Sequence, residues 1–358
     1  MNYKIALLPG DGIGPEIIAQ ARNVVETVGE RFGHSFQFAE ALIGASAIDS
    51  TGNPFPGETL ELCRNSDAVL FGAIGDPRYD NDPSAQVRPE QGLLAMRREL
   101  GLFANVRPVT TFSAFYDRSP LKRNIVEGVD ILFVRELTGG IYFGKPRGRS
   151  EDGNTAYDTC VYSRHEIERV VRLACEYATE RRKKVTVVDK ANVLATSRLW
   201  RETAMETVKS FPQVEMDFMF VDNAAMQLIQ NPGRFDVIVT ENMFGDILSD
   251  EASVITGSLG MMPSASVGSS TPVFEPIHGS YPQAAGKNIA NPLGMILSAA
   301  MMLETGFKLR KEAEAVTAAV KASISEGVVT EDLDNRDPKT TTQAGDWICN
   351  RLRSQKRL

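Results

Sequence analysis

Alternation between short apolar runs and longer helical patterns is the feature that most limits the folds open to this chain. The runs are rich in Val, Ile and Phe, and most are followed by a segment whose apolar residues recur at helical spacing. Such alternation predicts an α/β fold. The predicted strands are Lys4–Leu8, Asp67–Gly72, Phe103–Val109, Val129–Arg135, Lys184–Asp189, Met216–Val221 and Asp236–Thr240.

The clearest predicted helix is Ser163–Arg182, where Ser163 and Glu166 have the spacing of a capping box and one face is apolar. The preceding segment, Leu137–Tyr162, lacks a core-forming period and is too long for an ordinary connection. We therefore expect it to form a projecting arm or an active-site loop. Pro and Gly are spread evenly, so no linker marks a simple domain boundary, and discontinuous domains fit this pattern.

Composition and charge exclude several classes of protein. The formal net charge of −7 argues against general nucleic-acid binding, which draws on surplus Lys and Arg. No apolar run is long enough to cross a bilayer, and the opening MNYKIALLPG is typical of a strand rather than of a secretion signal. The 4 cysteines include no C-x-x-C pair, which argues against zinc and disulfides. We expect a cytoplasmic protein that binds no membrane.

A glycine-rich loop, Gly10–Glu16, follows the first predicted strand, where a dinucleotide fingerprint would lie. Its spacing is G-x-G-x-G, and no acidic residue ends a second strand at the distance that a Rossmann ribose site requires. A tight turn with Pro15 at the start of a helix explains the same residues. The loop therefore does not establish a Rossmann site.

One predicted helix carries a mixed face. Glu90, Leu93, Leu94 and Arg97 fall at i, i+3, i+4 and i+7, so they share one side of the helix. A carboxylate, two branched apolar side chains and a guanidinium suit an anion with an alkyl branch. The alternative is that the leucines belong to the core and that the arginine lies at its rim.

Two more arginines recur at predicted strand ends. Arg107 follows Phe103–Val106, and Arg135 follows Ile131–Val134. Ligands gather at the carboxyl ends of strands in α/β sheets. Together with Arg97, these guanidinium groups fit a dicarboxylate, which arginine binds bidentately.

Acidic and proton-transfer groups form the remaining pattern. Asp246 and Asp250 are i and i+4 on a predicted helix, so their carboxylates face one way and suit Mg²⁺ or Mn²⁺, although an exposed acidic helix start is the simpler alternative. Asp222 opens a helix as an N-cap or a third metal ligand.

Lys190 follows a strand and is a candidate general base or a surface lysine. Tyr142 follows two glycines and is a candidate proton donor or a packed aromatic residue.

Six segments together resemble the isopropylmalate dehydrogenases of the β-decarboxylating dehydrogenase family, which also includes isocitrate dehydrogenases. They are VRPEQGLLAMRRELGLFANVRP, RELTGGIYFG, VDKANVL, VDNAAM, NMFGDILSDEAS and EPIHGSYPQAAGKNIANP. The resemblance covers essentially the whole chain. It implies a two-domain fold with a mixed central sheet flanked by helices, not a Rossmann fold. Residues 1–102 and 257–358 would bind cofactor, and 103–256 would bind substrate and dimerise, with 137–162 as the arm.

The resemblance also implies an activity, namely the oxidation of (2R,3S)-3-isopropylmalate by NAD⁺ and its decarboxylation to 4-methyl-2-oxopentanoate in leucine biosynthesis. The enzyme would be a homodimer that needs Mg²⁺ or Mn²⁺, with Lys190 and Asp222 reaching the partner's site. The implied residues are Lys190, Tyr142 and Asp222 for catalysis; Arg97, Arg107, Arg135, Leu93, Leu94 and Asp222 for substrate; Asp222, Asp246 and Asp250 for metal; and Ile13, Glu90, His278, Gly279, Ser280, Gln283 and Asn291 for cofactor.

The sequence departs from the family pattern at two positions of GSYPQ, residues 279–283. Gln283 stands where NAD-dependent members commonly carry an aspartate that binds the adenosine ribose, and Tyr281 replaces a small residue. Loss of the aspartate weakens the basis for excluding NADP⁺. No arginine or lysine stands there to attract a 2′-phosphate, so NAD⁺ stays the expected cofactor.

Two alternatives remain open. A sister decarboxylase would act on isocitrate, homoisocitrate or a malate-like acid, and the apolar pair Leu93 and Leu94 argues against a substrate with a third carboxylate there. A noncatalytic dinucleotide-binding regulator would need no proton-transfer groups, so Lys190 and Tyr142 argue against it.

Overall fold

The computed structural model describes residues 1–81, 85–113, 116, 119–256 and 259–354. The chain divides into two compact units. The first unit consists of Met1–Leu102 and Ser258–Leu358, and the second unit is Phe103–Gly257. Both termini therefore belong to the same unit.

The first unit combines five strands with helices from both ends of the chain. Its strands, numbered along the whole chain, are β1 Asn2–Gly10, β2 Ser35–Glu40, β3 Ala68–Ala73, β11 Pro263–Gly268 and β12 Val273–Pro276. Its helices are α1 Gly14–Phe32, α2 Ala45–Thr51, α3 Gly57–Arg64, α4 Pro77–Asp80, α5 Pro89–Glu99, α11 Leu293–Met301, α12 Arg310–Ser325 and α13 Thr341–Ser354.

The strands of this unit lie in the order β2-β1-β3-β12-β11. All neighbouring pairs are parallel except β11 with β12, which are antiparallel. Strand β3 is buried at every position because its AVLFGA run supplies an apolar side chain to both faces of the sheet. Its Phe71 lies in a core with Leu8, Met96, Leu100 and Val273, so α5 is fixed on this core by the residues behind its mixed face.

Five strands of the second unit lie side by side in the order β4-β5-β10-β8-β9, with β4 antiparallel to β5 and the other pairs parallel. The short strands β6 and β7 form a separate antiparallel pair. The strands are β4 Leu102–Thr110, β5 Asp130–Glu136, β6 Gly148–Arg149, β7 Ala156–Tyr157, β8 Lys184–Asp189, β9 Glu215–Phe220 and β10 Val237–Thr240. The helices are α6 Arg123–Val126, α7 Arg164–Thr179, α8 Ala195–Thr207, α9 Val221–Gln230 and α10 Asn242–Ser253.

The fold is mixed α/β, as the alternation predicts. The capping box of α7 is confirmed: the Ser163 hydroxyl accepts a hydrogen bond from the Glu166 N–H, and the Glu166 carboxylate accepts one from the Ser163 N–H at 2.7 Å. The helix ends at Thr179 rather than at Arg182. Among the described residues, no helix combines the length and apolar character needed to cross a membrane.

Two expectations of local structure are wrong. Arg107 does not end a strand, because Val109 carries β4 on past Pro108, so the arginine lies within the strand opposite Phe133. Asp222 is not an N-cap, because α9 begins at Val221 and Phe220 holds the capping position.

Candidate active site

Two buried arginines lie on adjacent strands of the second unit. Arg107 on β4 is 6% exposed, and Arg135 near the end of β5 is 2% exposed. In the antiparallel register Arg135 lies opposite Asn105, two residues before Arg107, so all three side chains share one face of the sheet. Helix α10 packs against β5 on this side. A Cβ at Gly245 would lie only 2.7 Å from Arg135 Cγ, so this close approach requires glycine.

The two predicted carboxylates of α10 both meet these arginines. Arg135 donates from Nη1 to Asp246 Oδ1, and Arg107 donates from Nη1 to Asp250 Oδ1 at 3.1 Å. Asp246 and Asp250 are therefore on one side of the helix, as their i, i+4 spacing predicts. Burial raises the pKa of Asp250, and the negative charge of Asp246 adds to this, whereas Arg107 opposes it.

Tyr142 joins the same cluster. It lies in a tight helical turn, Gly140–Tyr142, where Gly140 has φ +76° and donates its N–H to the Val161 carbonyl at 2.9 Å. The Tyr142 hydroxyl donates to Asp246 Oδ2 at 3.1 Å. Burial, followed by the charge of Asp246, raises the pKa of the phenol. The phenol of Tyr142 is therefore held in its protonated form. The predicted arm thus carries both this turn and the exposed β6–β7 pair.

Lys190 and Asp222 form a second group in this unit. Lys190 directly follows β8, as predicted, and its Nζ donates to Asp222 Oδ1 at 2.9 Å. This hydrogen bond lowers the pKa of Asp222. Two contacts anchor the chain at the lysine: Arg201 binds both oxygens of the preceding Asp189 at 2.9 Å, and the Lys190 N–H donates to Ser197 Oγ at 3.1 Å.

The oxygen donors fit a hard divalent cation only in part. Asp246 and Asp250 supply carboxylates one helical turn apart, the ligand type that Mg²⁺ and Mn²⁺ prefer. Within the described ranges, no group of three or more His, Cys, Asp or Glu side chains could hold a metal. Asp222, the third predicted ligand, instead pairs with Lys190. One chain therefore brings two of the three predicted ligands together.

Three of the predicted cofactor residues converge in the first unit. The Ile13 N–H donates to the Ser280 carbonyl at 2.9 Å. Gly12, at φ +58°, allows this contact, because a Cβ there would lie 2.0 Å from the Ser280 carbonyl oxygen. A Cβ at Gly75 would lie 3.1 Å from Glu90 Oε1 and 3.5 Å from Ser280 Oγ. The glycine-rich loop thus brings Ile13 beside Ser280, and Gly75 lies close to both Ser280 and Glu90.

A second set of predicted cofactor residues includes His278, Gly279 and Asn291. His278 Nδ1 lies 3.0 Å from the Gly279 carbonyl, and Asn291 Nδ2 donates to Asp332 Oδ2 at 2.9 Å. Burial lowers the pKa of His278, which favours the neutral imidazole. Its Nε2 is buried without a hydrogen-bond partner in the part of the chain that the structure describes. Such a nitrogen fits a ligand that offers polar ring atoms, as an adenine does.

Gln283 is exposed in the turn Pro282–Ala284, directly after Tyr281, which has a left-handed backbone at φ +41°. The following loop is tied to α1, because Glu16 accepts hydrogen bonds from the N–H groups of Gly286 and Asn288. The Gln283 side chain can therefore meet a ligand from solvent.

The mixed face of α5 forms as predicted. Arg97 is buried with its Nη2 3.6 Å from Glu275 Oε1, whereas Glu90 is exposed. Leu93 and Leu94 are both half-buried, and Leu93 packs against the core of the first unit. Leu93 therefore belongs partly to the hydrophobic core. Leu94 keeps exposed apolar surface that a ligand can contact.

Comparison with known proteins assigns the chain to a family. The family model for isocitrate/isopropylmalate dehydrogenases matches residues 4–348. The chain belongs to this family. Its dehydrogenase relatives include proteins named 3-isopropylmalate dehydrogenase from Bacteroides fragilis, 56% identical over 355 residues with 99% of each chain covered, and from Bacillus subtilis, 55% identical over 348 residues with 96% of this chain and 95% of the relative covered.

Solved structures of related dehydrogenases have a fold similar to that of this chain. Isocitrate dehydrogenase from Methylococcus capsulatus is 36% identical and superposes with a TM-score of 0.88, covering 98% of this chain and all of the other. A β-decarboxylating dehydrogenase from Thermococcus kodakarensis is also 36% identical, with a TM-score of 0.80 and coverage of 98% and 96%. The isocitrate/isopropylmalate dehydrogenase family therefore accounts for the fold of both units.

Sequence reasoning missed several residues that contact the predicted ones. Among them, Asn105 and Asn242 hold Arg107 and Arg135, and Asp332 holds Asn291. Asn105 is two residues before Arg107 on one strand, and Asn242 is four residues before Asp246 on one helix, so the strand and helix periods could have found both. Asp332 is remote in sequence from Asn291, and no local pattern connects them.

Proposed function

We propose that the chain catalyses the NAD⁺-dependent oxidative decarboxylation of (2R,3S)-3-isopropylmalate to 4-methyl-2-oxopentanoate and CO₂, a step of leucine biosynthesis. The cluster of two buried arginines, two aspartates and a tyrosine carries the proposal. In a family of dehydrogenases, and with curated relatives named 3-isopropylmalate dehydrogenase, this cluster has the groups that the reaction needs.

The substrate is a dianion, and Arg107 and Arg135 present guanidinium groups to its carboxylates. Because both arginines are held by buried hydrogen bonds, they lose little side-chain freedom on binding. The family resemblance assigns Arg97 to the same substrate, and Leu93 and Leu94 to its isopropyl group. A branched alkyl group gains from this apolar contact, whereas a third carboxylate would lose its hydration without a polar partner.

The proton transfers belong to Lys190 and Tyr142. Lys190, directly or through water or Asp222, accepts the proton of the C2 hydroxyl while hydride leaves C2. The C3 carboxylate then departs as CO₂, and Tyr142 donates a proton to C3. When bound, NAD⁺ supplies the hydride acceptor and a divalent cation supplies positive charge beside the C2 oxygen. The residues proposed for NAD⁺ are Ile13, Glu90, His278, Gly279, Ser280, Gln283 and Asn291.

We also propose that the enzyme is a homodimer with shared sites. Helices α9 and α10 pack against each other and expose apolar side chains, including Met226 at 52% and Ile247 at 60%. Exposed apolar residues concentrated on neighbouring helices are typical of an interface. A second copy of the chain seated there would bring its Asp222, at the start of α9, towards Asp246 and Asp250. These three aspartates would then hold the Mg²⁺ or Mn²⁺.

The metal assignment predicts a specific defect in Asp246→Asn. The Mg²⁺ or Mn²⁺ concentration that gives half-maximal rate should rise at least about tenfold, because a neutral amide replaces an anionic hard ligand. Metal titrations of the initial rate measure this concentration. Asp337→Asn, at an exposed carboxylate, is the matched control and should titrate like the unmodified protein. Full activity in excess EDTA would contradict the metal assignment.

Gln283 predicts weak discrimination between NAD⁺ and NADP⁺. A carboxylate there would accept hydrogen bonds from the ribose hydroxyls and repel a 2′-phosphate, whereas an amide repels nothing. We expect the unmodified protein to prefer NAD⁺. Gln283→Asp should raise the NAD⁺/NADP⁺ ratio of kcat/KM about tenfold, if the change is worth about 1.4 kcal/mol.

The ratio is measured for both cofactors in Gln283→Asp, in the unmodified protein and in Gln37→Asp, a control on the exposed strand β2. The control should leave the ratio unchanged. A preference of the unmodified protein for NADP⁺, or an unchanged ratio in Gln283→Asp, would show that another residue sets cofactor choice.

Substrate identity is tested by the rate of NADH formation with 3-isopropylmalate, isocitrate and malate at equal metal concentration. The proposal predicts the highest kcat/KM with 3-isopropylmalate. Isocitrate is the second candidate, because the Methylococcus capsulatus protein of similar fold is named isocitrate dehydrogenase. A higher kcat/KM with isocitrate would replace the proposed substrate by that one.

A further inference from the structure

Arginines of the second unit commonly lie against buried carboxylates. Four carboxylates among the described residues of this unit are buried, namely Glu136, Asp189, Asp236 and Glu241, and an arginine forms an ion pair with each of the first three. The pairs are Arg169 with Glu136 at 3.7 Å, Arg201 with Asp189 at 2.9 Å and Arg181 with Asp236 at 2.9 Å. Such pairing is expected, because a buried charge without a partner is costly.

Arg107 and Arg135 are held differently. Arg107 donates from Nε to Asn105 Oδ1 at 2.6 Å. Arg135 donates from Nε and Nη2 to Asn242 Oδ1 at 3.0 and 2.8 Å. Both asparagines are buried, and both offer a neutral oxygen. Two of the three arginines assigned to the substrate are therefore oriented through Nε by carboxamides. The third, Arg97, lies near the Glu275 carboxylate, and the other arginines named above also meet carboxylates.

The orientation of the Asn242 amide is fixed by a second contact. Its Nδ2 donates to the Gly139 carbonyl at 3.3 Å, so its oxygen faces Arg135. Glu241 is close enough to act on Arg135 electrostatically, but its oxygens accept hydrogen bonds from the Phe244 N–H at 2.9 Å and the Tyr162 hydroxyl at 3.3 Å. The nearest acceptor behind the Arg135 guanidinium is thus the amide.

The carboxylates that Arg107 and Arg135 do contact are of another kind. Asp246 and Asp250 have side chains that are 35% and 59% exposed, and they are the proposed metal ligands. A divalent cation on these oxygens would offset their negative charge. The positive charge of the two guanidinium groups would then be available to a ligand, provided that their inner partners are neutral.

We propose that Asn105 and Asn242 are positioning residues that orient Arg107 and Arg135 through neutral acceptors and so reserve the arginines' charge for a dianionic substrate. The inference rests on the proposed function, because it takes the ligand to be a dicarboxylate. A carboxylate at either position would form a charge-assisted hydrogen bond, about twice as strong as a neutral one, and would compete with the ligand.

The test compares Asn105→Asp and Asn242→Asp with the unmodified protein. Calorimetry gives the Kd of 3-isopropylmalate in the presence of Mg²⁺ and without NAD⁺, so the result does not depend on turnover. Each aspartate variant should bind at least about tenfold more weakly, the loss expected when a charge pair in the site is opposed. Asn23→Asp, on the exposed face of α1, makes the same change in net charge and should bind normally.

A purely structural role gives the opposite result. Aspartate keeps the shape and the accepting oxygen of asparagine, so it would orient the arginine at least as well, and unchanged or tighter binding in folded variants would overturn the proposal. The alanine variants Asn105→Ala and Asn242→Ala provide a second measurement. They lose orientation but keep the charge of the site, so the dependence of Kd on salt concentration should match that of the unmodified protein.

The salt dependence also decides the matter if both aspartate variants fail to fold. If Kd depends clearly less on salt concentration in the alanine variants than in the unmodified protein, the asparagines do not act through charge. Isocitrate and malate are titrated in parallel. If the unmodified protein binds one of these acids instead of 3-isopropylmalate, the proposed function fails, and the variants still test the asparagines with that acid. Binding of none of the three acids would overturn both proposals.

Discussion

Lys190→Met should lower kcat with 3-isopropylmalate by about 10² to 10⁴-fold, the factor that a general acid or base typically supplies. Methionine keeps much of the length and volume of lysine but can neither accept nor donate the proton of the C2 hydroxyl. Substrate binding should change little, because the arginines that meet the carboxylates are untouched. Initial-rate kinetics give kcat, and calorimetry gives the Kd of the substrate.

Lys209→Met is the matched control, because Lys209 makes only a surface contact with Glu206 in the same unit among the contacts recorded for it. Its kcat should equal that of the unmodified protein. Ordinary turnover by Lys190→Met would remove this lysine from the mechanism. A lower kcat accompanied by an equal loss of substrate affinity would assign Lys190 to binding instead of proton transfer.

Mixing inactive Lys190→Met and Arg107→Ala chains should restore activity. If Lys190 serves the partner's site and Arg107 serves the site of its own chain, a mixed dimer has one intact site and one doubly altered site. Random exchange makes half of the dimers mixed, so about a quarter of the unmodified activity should return. The rate is followed after subunit exchange, which tagged chains and native mass spectrometry can verify.

Each variant mixed with the unmodified protein, and each incubated alone, gives the baseline for this experiment. The two inactive proteins should stay inactive alone. Continued inactivity after mixed dimers have been verified would place Lys190 and Arg107 in the site of the same chain. A chain that remains monomeric at the assay concentration would contradict the shared site altogether.

Much of the fold follows from local pattern in the sequence. The strand Lys184–Asp189 has the predicted bounds, since a continuous β-branched run between two polar segments fixes both ends. The face of Glu90, Leu93, Leu94 and Arg97 follows from the helical period of α5. Strands β11 and β12 are not predicted, because both are short and carry little alternation of their own, and β12 is held by pairing with the distant strand β3.

The sequence predicts the arrangement of the candidate site where two functional side chains lie on the same helix or strand. Asp246 and Asp250 are four residues apart on one helix, so the helical period predicts that their side chains lie on the same face. The contact of Tyr142 with Asp246 is different, because it joins residues from a loop and a helix that only the tertiary structure brings together. The same holds for Asn242 with Arg135 and for Asp332 with Asn291.

The most direct test of the central claim is the product balance of the unmodified protein with 3-isopropylmalate, NAD⁺ and Mg²⁺. NADH is followed by absorbance, CO₂ by trapping from a substrate labelled in the C3 carboxylate, and the oxo acid by mass spectrometry. The proposed function predicts equal amounts of NADH, CO₂ and 4-methyl-2-oxopentanoate. NADH without CO₂, or no NADH from 3-isopropylmalate at all, would contradict oxidative decarboxylation as the reaction of this chain.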